Sequence, residues 1–434
     1  MMNRALVLIL LCASFSAQAE LSIQITQGVD NPIPISVVPF AWEGAGVLSE
    51  NVSQIVINDL QQVGEFRALS PGNMLSLPNE ENEVFYRDWR VLAQDYLLVG
   101  KITRATGSQL VQVQYEFFDV NRELKLAGEV LTGSVTQLRD IGHQISNVVF
   151  ELVTGTRGAF TTQILYIVSE EVGGQTVFRL EKADYDGQRA QVLLESNEPI
   201  MSPSWSPNGQ DIAYVSFETS LPRIYTQNIA TGQRRQITNY PNINSSPVWS
   251  PDGNRLAMVL SKDGSPDIYV QDLLSNELIR VTDHPAIDTE PSWSRDGSAI
   301  VFMSDRTGQP QIYQMEVGAS SFNVERLTYD CFQCMKGQFL PDGVNMVHVR
   351  RETRQDPNYQ IAILNVETLR VITLTDTSLD ESPSVAPNGS MIMYATKFAG
   401  RGVLDAVSID GRVKFRLPSA QGDVREPSWS PFFN

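Results

Sequence analysis

A short motif recurs along the C-terminal two-thirds of the chain at a nearly fixed interval, and that interval dictates the architecture. Pro203-Ser-Trp205-Ser-Pro-Asn-Gly209 returns as Pro247-Val-Trp249-Ser-Pro-Asp-Gly253 and as Pro291-Ser-Trp293-Ser-Arg-Asp-Gly297. Degenerate copies follow as Gly337-Gln-Phe339-Leu-Pro-Asp-Gly343 and Pro383-Ser-Val385-Ala-Pro-Asn-Gly389. Pro427-Ser-Trp429-Ser-Pro431 comes last. The anchors at 205, 249, 293, 339, 385 and 429 stand 44, 44, 46, 46 and 44 residues apart. Each period holds four strand signals. The Pro-Asp-Gly turn is followed by a run such as Ile212-Ala-Tyr-Val-Ser216, then by one such as Asp267-Ile-Tyr-Val-Gln271. A run ending in Thr closes the period, as in Arg280-Val-Thr282 or Val371-Ile-Thr-Leu-Thr375. Four short strands per period of about 40–45 residues spell a β-propeller blade.

The two ends of the repeat region set the blade count. The last motif supplies an innermost strand and no more. Upstream, Ile164-Leu-Tyr-Ile-Val168, Val177-Phe-Arg-Leu180 and Ala190-Gln-Val-Leu-Leu194 supply three strands without a first. Together they complete one blade. The expectation is six blades over 163–434, closed by the C-terminal strand, which leaves only short, protected edges. The Trp anchors are expected to fill the space between blades.

Residues 20–155 lack the repeat and predict a small α/β domain, making the whole chain α+β. Leu21, Ile23 and Ile25 alternate with polar residues, as in an edge strand. A strand is expected over 35–40, and strands of one sheet over 96–102, 111–117 and 124–130. Ser49 is expected to cap a helix with Val52, Ile55, Val56, Leu60 and Val63 on its apolar face. A last helix carries Leu138, Ile141, Ile145, Val148 and Leu152, and a linker at 154–162 leads to the propeller.

Residues 1–19 read as a secretory signal peptide. Arg4 is the charged start, 5–13 is an apolar run too short to span a membrane, and Ala17-Gln18-Ala19 precedes the cleavage point. Leu11 before Cys12 is not the small residue that lipidation wants. The mature chain therefore starts at Glu20, exported and without a membrane span. The full chain carries 33 Lys and Arg against 50 Asp and Glu, a formal charge of -17. Cleavage removes one cation and no acid, leaving 32 against 50, or -18. Such a balance excludes a nucleic-acid binder and basic docking on an anionic membrane.

Catalytic patterns are missing. Propellers with this motif also accompany serine peptidases, but no G-x-S-x-G elbow occurs. There is no H-E-x-x-H and no P-loop. His143, His284 and His348 fall in a helix, a loop and a strand, and are expected to be structural. No cofactor, metal or enzymatic activity is expected; the competing classes are a hydrolase and a protein holding a small ligand in the channel. Cys331-Phe-Gln-Cys334 lacks the second pair of a metal site and reads as a small disulfide-closed loop. Acidic residues gather just before the anchors: Glu198, Asp288, Glu290, Asp380, Glu381, Asp423 and Glu426. In a propeller these loops converge on one mouth of the channel, which suggests a site for a partner or a cation.

These features together resemble the TolB family, periplasmic components of the Tol-Pal system of Gram-negative bacteria. The residues that carry the resemblance are Gly28-Val-Asp30, Val37-Val-Pro-Phe40, Ala183-Asp-Tyr-Asp-Gly187, Met201-Ser-Pro-Ser-Trp-Ser-Pro207, Leu379-Asp-Glu-Ser-Pro383 and Pro427-Ser-Trp-Ser-Pro431. The resemblance implies a non-enzymatic scaffold whose propeller binds the lipoprotein Pal over its mouth. Its mature N-terminus would bind TolA, and the system would maintain the outer membrane and its constriction at division. Other outer-membrane proteins, colicins and phage proteins are the further partners it implies. Carried over by position, the TolA segment is 20–32, with Glu20, Leu21, Ile23, Ile25, Gly28, Val29 and Asp30. The expected Pal-facing residues are Ser202, Ser246, Thr289, Glu290, Asp380, Glu381, Arg425 and Glu426. Lys336 and the Cys331/Cys334 loop depart from the pattern in the fourth sector of the rim.

Overall fold

The structure is a computed structural model describing residues 31–105, 110–318, 323–418 and 422–433, together with the backbone of a strand at Ile23–Ile25. The signal-peptide reading of 1–19 lies outside the described residues.

The N-terminal domain is a mixed sheet with helices on both faces. Its strands run in the order Phe66–Ala68, Ile33–Val37, Tyr96–Arg104, Val111–Asp119, Leu124–Gly133, with Ala41–Glu43 also beside Tyr96–Arg104. Alternation along the long strands sorts the core. Leu98, Ile102, Val113, Tyr115 and Phe117 pack under helices α1 (Val52–Gln62) and α3 (Leu138–Thr154). Leu97, Val99 and Phe118 face α2 (Tyr86–Val91) through Trp89. The cap of α1 is Asn51, not Ser49: Gln54 N donates to Asn51 Oδ1 at 3.2 Å, which satisfies one of the helix's free N–H groups. A capping box, Ser134 with Gln137, leads into α3, and Gly155 ends it in the left-handed conformation (φ 74°). On α3 the buried stripe is Leu138, Ile141, Ile145, Val149 and Phe150. Val148 is half-buried and Leu152 exposed, so the expected face is rotated by about one residue at its C-terminal end.

The propeller has six blades, and the motif explains itself in each turn. Asp211 N, Arg255 N and Ala299 N donate to Ser206, Ser250 and Ser294 Oγ at 2.9–3.0 Å. The next polar residue (Asn208, Asp252, Asp296, Asp342 or Asn388) accepts from the backbone N–H two residues on, at 2.9–3.1 Å. The glycine that follows sits at φ near 70°, where any other side chain is strained. The terminal Thr of each outer strand is equally local: Thr238, Thr282, Thr328 and Thr375 Oγ1 accept from Ile224, Ile268, Ile312 and Ile361 N at 2.9–3.0 Å.

Blade 1 is the composite expected. Gln191–Ser196, Gln175–Asp184 and Gln163–Val172 are completed by Asp423–Trp429, paired antiparallel with Gln163–Val172. Blades 2 to 5 are four-stranded sheets whose innermost strands are Ile200–Trp205, Asn244–Trp249, Asp288–Trp293 and Gln333–Phe339. Blade 6, with innermost strand Glu381–Val385, has a fifth strand. The Ile23–Ile25 backbone pairs antiparallel with Val413–Phe415 at its outer edge. The anchors stitch neighbouring blades: Trp205 and Trp293 Nε1 donate to Ser428 O and Val248 O of the preceding blade, at 3.0 and 3.2 Å.

The N-terminal domain rests on the propeller face that carries the Pro-Asp-Gly turns. Gly64, left-handed at φ 78°, lies so close to Val413 that a Cβ would come within 1.9 Å of Val413 Cγ2. Tyr185, Asp186 and Arg189, in the loop joining the outer two strands of blade 1, meet α1 and α3.

Candidate functional site at the channel mouth

The six innermost strands line a channel of about 490 Å³. Its mouth on the face away from the N-terminal domain is built from the three positions that lie five, four and three residues before each anchor. A break in the ladder register separates them from the anchor in every blade. A bulge of this kind re-aims side chains at a barrel rim, and the three positions take three different fates.

The position five before the anchor is buried in all six blades, whatever occupies it: Ile200, Asn244, Asp288, Cys334, Asp380 and Val424. Asp288 is held by the Arg306 guanidinium at 3.0 and 3.1 Å. Asp380 is a correction to the sequence reading. It is 0% exposed, so a partner cannot reach it. Burial pushes its carboxyl up, against the opposing hydroxyls of Thr375, Thr377 and Thr396. Cys334 takes the same place in blade 5 and is bridged to Cys331 (Cα–Cα 6.1 Å). Its N–H donates to Pro310 O at 2.9 Å, as Asp288 N does to Pro266 O. The disulfide thus staples the loop where the other blades use a buried polar or apolar side chain.

The position four before the anchor reaches the rim. It holds exposed Met201, Glu381 and Arg425, and half-buried Ser245, Thr289 and Met335. The position three before is a ring of left-handed residues, Ser202, Ser246, Glu290, Lys336, Ser382 and Glu426, with φ from 50° to 56°. The bulge holds six non-glycine residues in this sparsely populated region, and strain kept around a rim makes the mouth the candidate site. Two of the ring's carboxylates brace it. Glu290 Oε2 accepts from Lys336 N at 2.9 Å, and Glu426 accepts from Ser202 N, each reaching the following blade. Lys336 Nζ stands 3.7 Å from Glu290 Oε1. Enclosure pulls the Lys336 ammonium down, but Glu290, Glu426 and Glu381 outweigh it and hold it above its ordinary value.

The structure therefore gathers Ser202, Ser246, Thr289, Glu290, Glu381, Arg425 and Glu426 at one mouth and adds Lys336 and Ser382. Sequence reading passed over Ser382 and treated Lys336 only as a departure from the pattern; counting three residues back from each anchor finds both. Of the N-terminal segment, Ile23 and Ile25 belong to the strand docked on blade 6. Glu20, Leu21, Gly28, Val29 and Asp30 lie outside the described residues. Among the described residues, the carboxylate and imidazole groups that come closest together elsewhere are Asp59, His143 and Asp186 at the domain boundary. Arg139 pairs with Asp186 there, and hydrogen bonds occupy Asp59, so the group reads as an ion-pair network.

His348 fills the blade position taken elsewhere by Tyr166, Tyr214, Met258, Phe302 and Tyr394. It is fully buried, and neither ring nitrogen has a partner. Burial, aided by Arg350, lowers it from 6.5 to about 4. The fold favours the neutral ring, so its contribution is complete above pH 6.5 and is lost as pH falls toward 4. The expected loss from this group is about 3 kcal/mol. Urea midpoints at neutral and acid pH check it: His348→Phe should shrink the acid destabilisation by about that amount.

A six-bladed propeller behind an α/β domain, with a polar bulged mouth and anchors that serve packing, defines a β-propeller scaffold protein. The TolB beta propeller domain family matches residues 150–433 and the TolB amino-terminal domain family residues 21–126. The Tol-Pal system protein TolB of Pseudomonas fluorescens (strain SBW25) is 51% identical over 435 residues, spanning 99% of both chains. That of Pseudomonas putida (strain KT2440) is 50% identical over 433 residues, with the same coverage. The crystal structure of TolB from Acinetobacter baumannii superposes with a TM-score of 0.86 at 36% identity, covering 95% of this chain and 100% of that one. The chain belongs to the TolB family of Tol-Pal system proteins. The expectation of a non-enzymatic protein stands with that membership. No helix among the described residues is long and apolar enough to cross a membrane.

Proposed function

We propose that the protein is a periplasmic scaffold of the Tol-Pal system, with a leader at 1–19, an α/β domain at 20–155 and a propeller at 163–434. The propeller mouth binds the lipoprotein Pal, and the mature N-terminal segment 20–32 binds TolA. Through these contacts it helps keep the outer membrane intact and supports its constriction at division. Other outer-membrane proteins, colicins and phage proteins are further partners on the same reading. The observation that carries the Pal contact is the strained ring of six residues on the face away from the N-terminal domain. It presents Glu290, Glu426 and Lys336 together with Glu381 and Arg425 at the rim. Placed charges of this kind steer a partner and fix its register more than they supply raw affinity.

Calorimetry with purified Pal tests the assignment. Glu381→Lys, at an exposed rim position, should weaken binding about tenfold without changing the melting temperature. Glu290→Lys should weaken binding and also lower stability, because Glu290 accepts from Lys336 N and faces Lys336 Nζ. Unchanged Pal affinity in both variants would reject the mouth as the contact.

A further inference from the structure

The two domains meet over a buried polar network that the scaffold reading does not use. Asp59 on α1 is 1% exposed and His143 on α3 is 2% exposed. Asp59 Oδ2 takes His143 Nδ1 at 2.8 Å and Ser146 Oγ at 2.6 Å, both from α3. Asp59 Oδ1 accepts from Tyr185 OH at 2.7 Å, a donor that belongs to the propeller, and Gln62 Oε1 shares the same hydroxyl at 3.0 Å. The His143 ring stands edge-on to Tyr185 with centroids 5.6 Å apart, and its Nε2 is buried without a partner. Around this core α3 sends two further links to blade 1. Arg139 pairs with Asp186 and lies 3.3 Å from Asp184, and Arg189 joins Asp184 to Asp140. Glu50, just before α1, lies 3.8 Å from Arg139.

Charge counting shows what a proton on His143 does. The groups facing it are Asp59 from α1, Asp186 and Tyr185 from the propeller, and Arg139 from its own helix. With a neutral imidazole, Arg139 is the one cation in that set, set against two carboxylates, one from each domain. A second cation on His143 balances both across the boundary. Removing it leaves Asp59 and Asp186 facing each other in a medium where water screens little.

We propose that His143 is a proton-operated latch of the domain interface: the protonated ring holds α1 and α3 onto the Tyr185–Asp186 loop of blade 1, and its deprotonation loosens that contact. Burial pulls the imidazole down, but Asp59 and then Asp186 outweigh it, leaving the ring above its ordinary value. The sign follows. A raised base contributes fully below its unfolded-state value and loses that contribution as pH climbs through the folded one. Docking of the N-terminal domain therefore weakens as pH climbs above 6.5 through the raised value, while the His348 effect acts below 6.5.

The test uses the full mature chain. The chain has three histidines, so imidazole NMR resolves each, and single variants assign them. His143 should titrate above 6.5. Hydrogen exchange of α3 and of 184–189, corrected for the intrinsic chemical rate, should show opening that rises about tenfold between about pH 6 and about pH 9. In His143→Gln, and separately in Asp186→Asn, that rise should flatten. A His143 titration at or below 6.5, or the same alkaline rise in both variants, overturns the proposal. Should His143→Gln fail to fold, the wild-type titration and Asp186→Asn decide alone.

Discussion

A chain lacking residues 20–32 should lose capture of TolA while binding Pal as the full mature chain does. Among the described residues, the docked strand Ile23–Ile25 makes three backbone pairings, with Phe415, Lys414 and Val413 on the outer edge of blade 6. A strand held by edge pairing is one for which a partner edge can compete by β-addition. The channel mouth lies at the other end of the blades, which is why the deletion should spare it. Loss of the strand should lower stability by only about 1 kcal/mol. Pull-downs with soluble TolA and Pal fragments check both halves. TolA retained by the truncated chain would remove the segment from the contact.

Trp429→Ala should be more damaging than Trp249→Ala. Trp429 is buried, its indole N–H donates to Thr162 Oγ1 at 2.7 Å, and its backbone N–H donates to Ser384 Oγ at 2.8 Å. It also stacks on Tyr185, at the domain boundary. Truncation removes a large buried side chain from the strand that closes the ring, so a loss of about 3–5 kcal/mol is expected. Trp249 is half-buried and its indole N–H is buried without a partner. Trp249→Ala should therefore cost clearly less, and Trp249→Phe little, since it removes an unsatisfied donor. Thermal and urea unfolding of the three variants checks the order. Equal losses at the two anchors would show that closure adds nothing.

The propeller was legible because its turns are chemically local. Ser, Asp or Asn, and Gly at fixed offsets act within a few residues of themselves, so their recurrence reports geometry directly. Blade 1 could be inferred because each end of the repeat region lacked what the other supplied. The mouth was only half legible. Acids before an anchor look alike in sequence, but the bulge separates three successive positions, burying Asp380, exposing Glu381 and turning Ser382 into the channel. Strand alternation alone cannot see that, because the register break shifts its phase. The docking of Ile23–Ile25 on blade 6, nearly the whole chain away, left no local trace. The sequence reading set that strand against its own domain or a partner. Asn51 displaced Ser49 as the cap because the helix begins two residues later than its polar flank suggested.

Composite blade 1 also bears on how the protein comes into being. Gln163 N and Ser430 Oγ are 267 residues apart in the chain, yet they are hydrogen-bonded at 3.0 Å. Bringing such ends together costs about 5 kcal/mol of chain entropy. Contacts of the N-terminal domain with blade 6, such as Gly64 against Val413, repay part of that cost, but the four-stranded sheet of blade 1 is complete only once its strand Asp423–Trp429 is present. A chain lacking that strand therefore carries five blades and an unfastened sixth, with two raw strand edges. Ring formation thus acts as a completeness check: only a chain delivered to its final strand acquires a continuous channel mouth, and any shortened product is left open to proteolysis or to pairing with its neighbours.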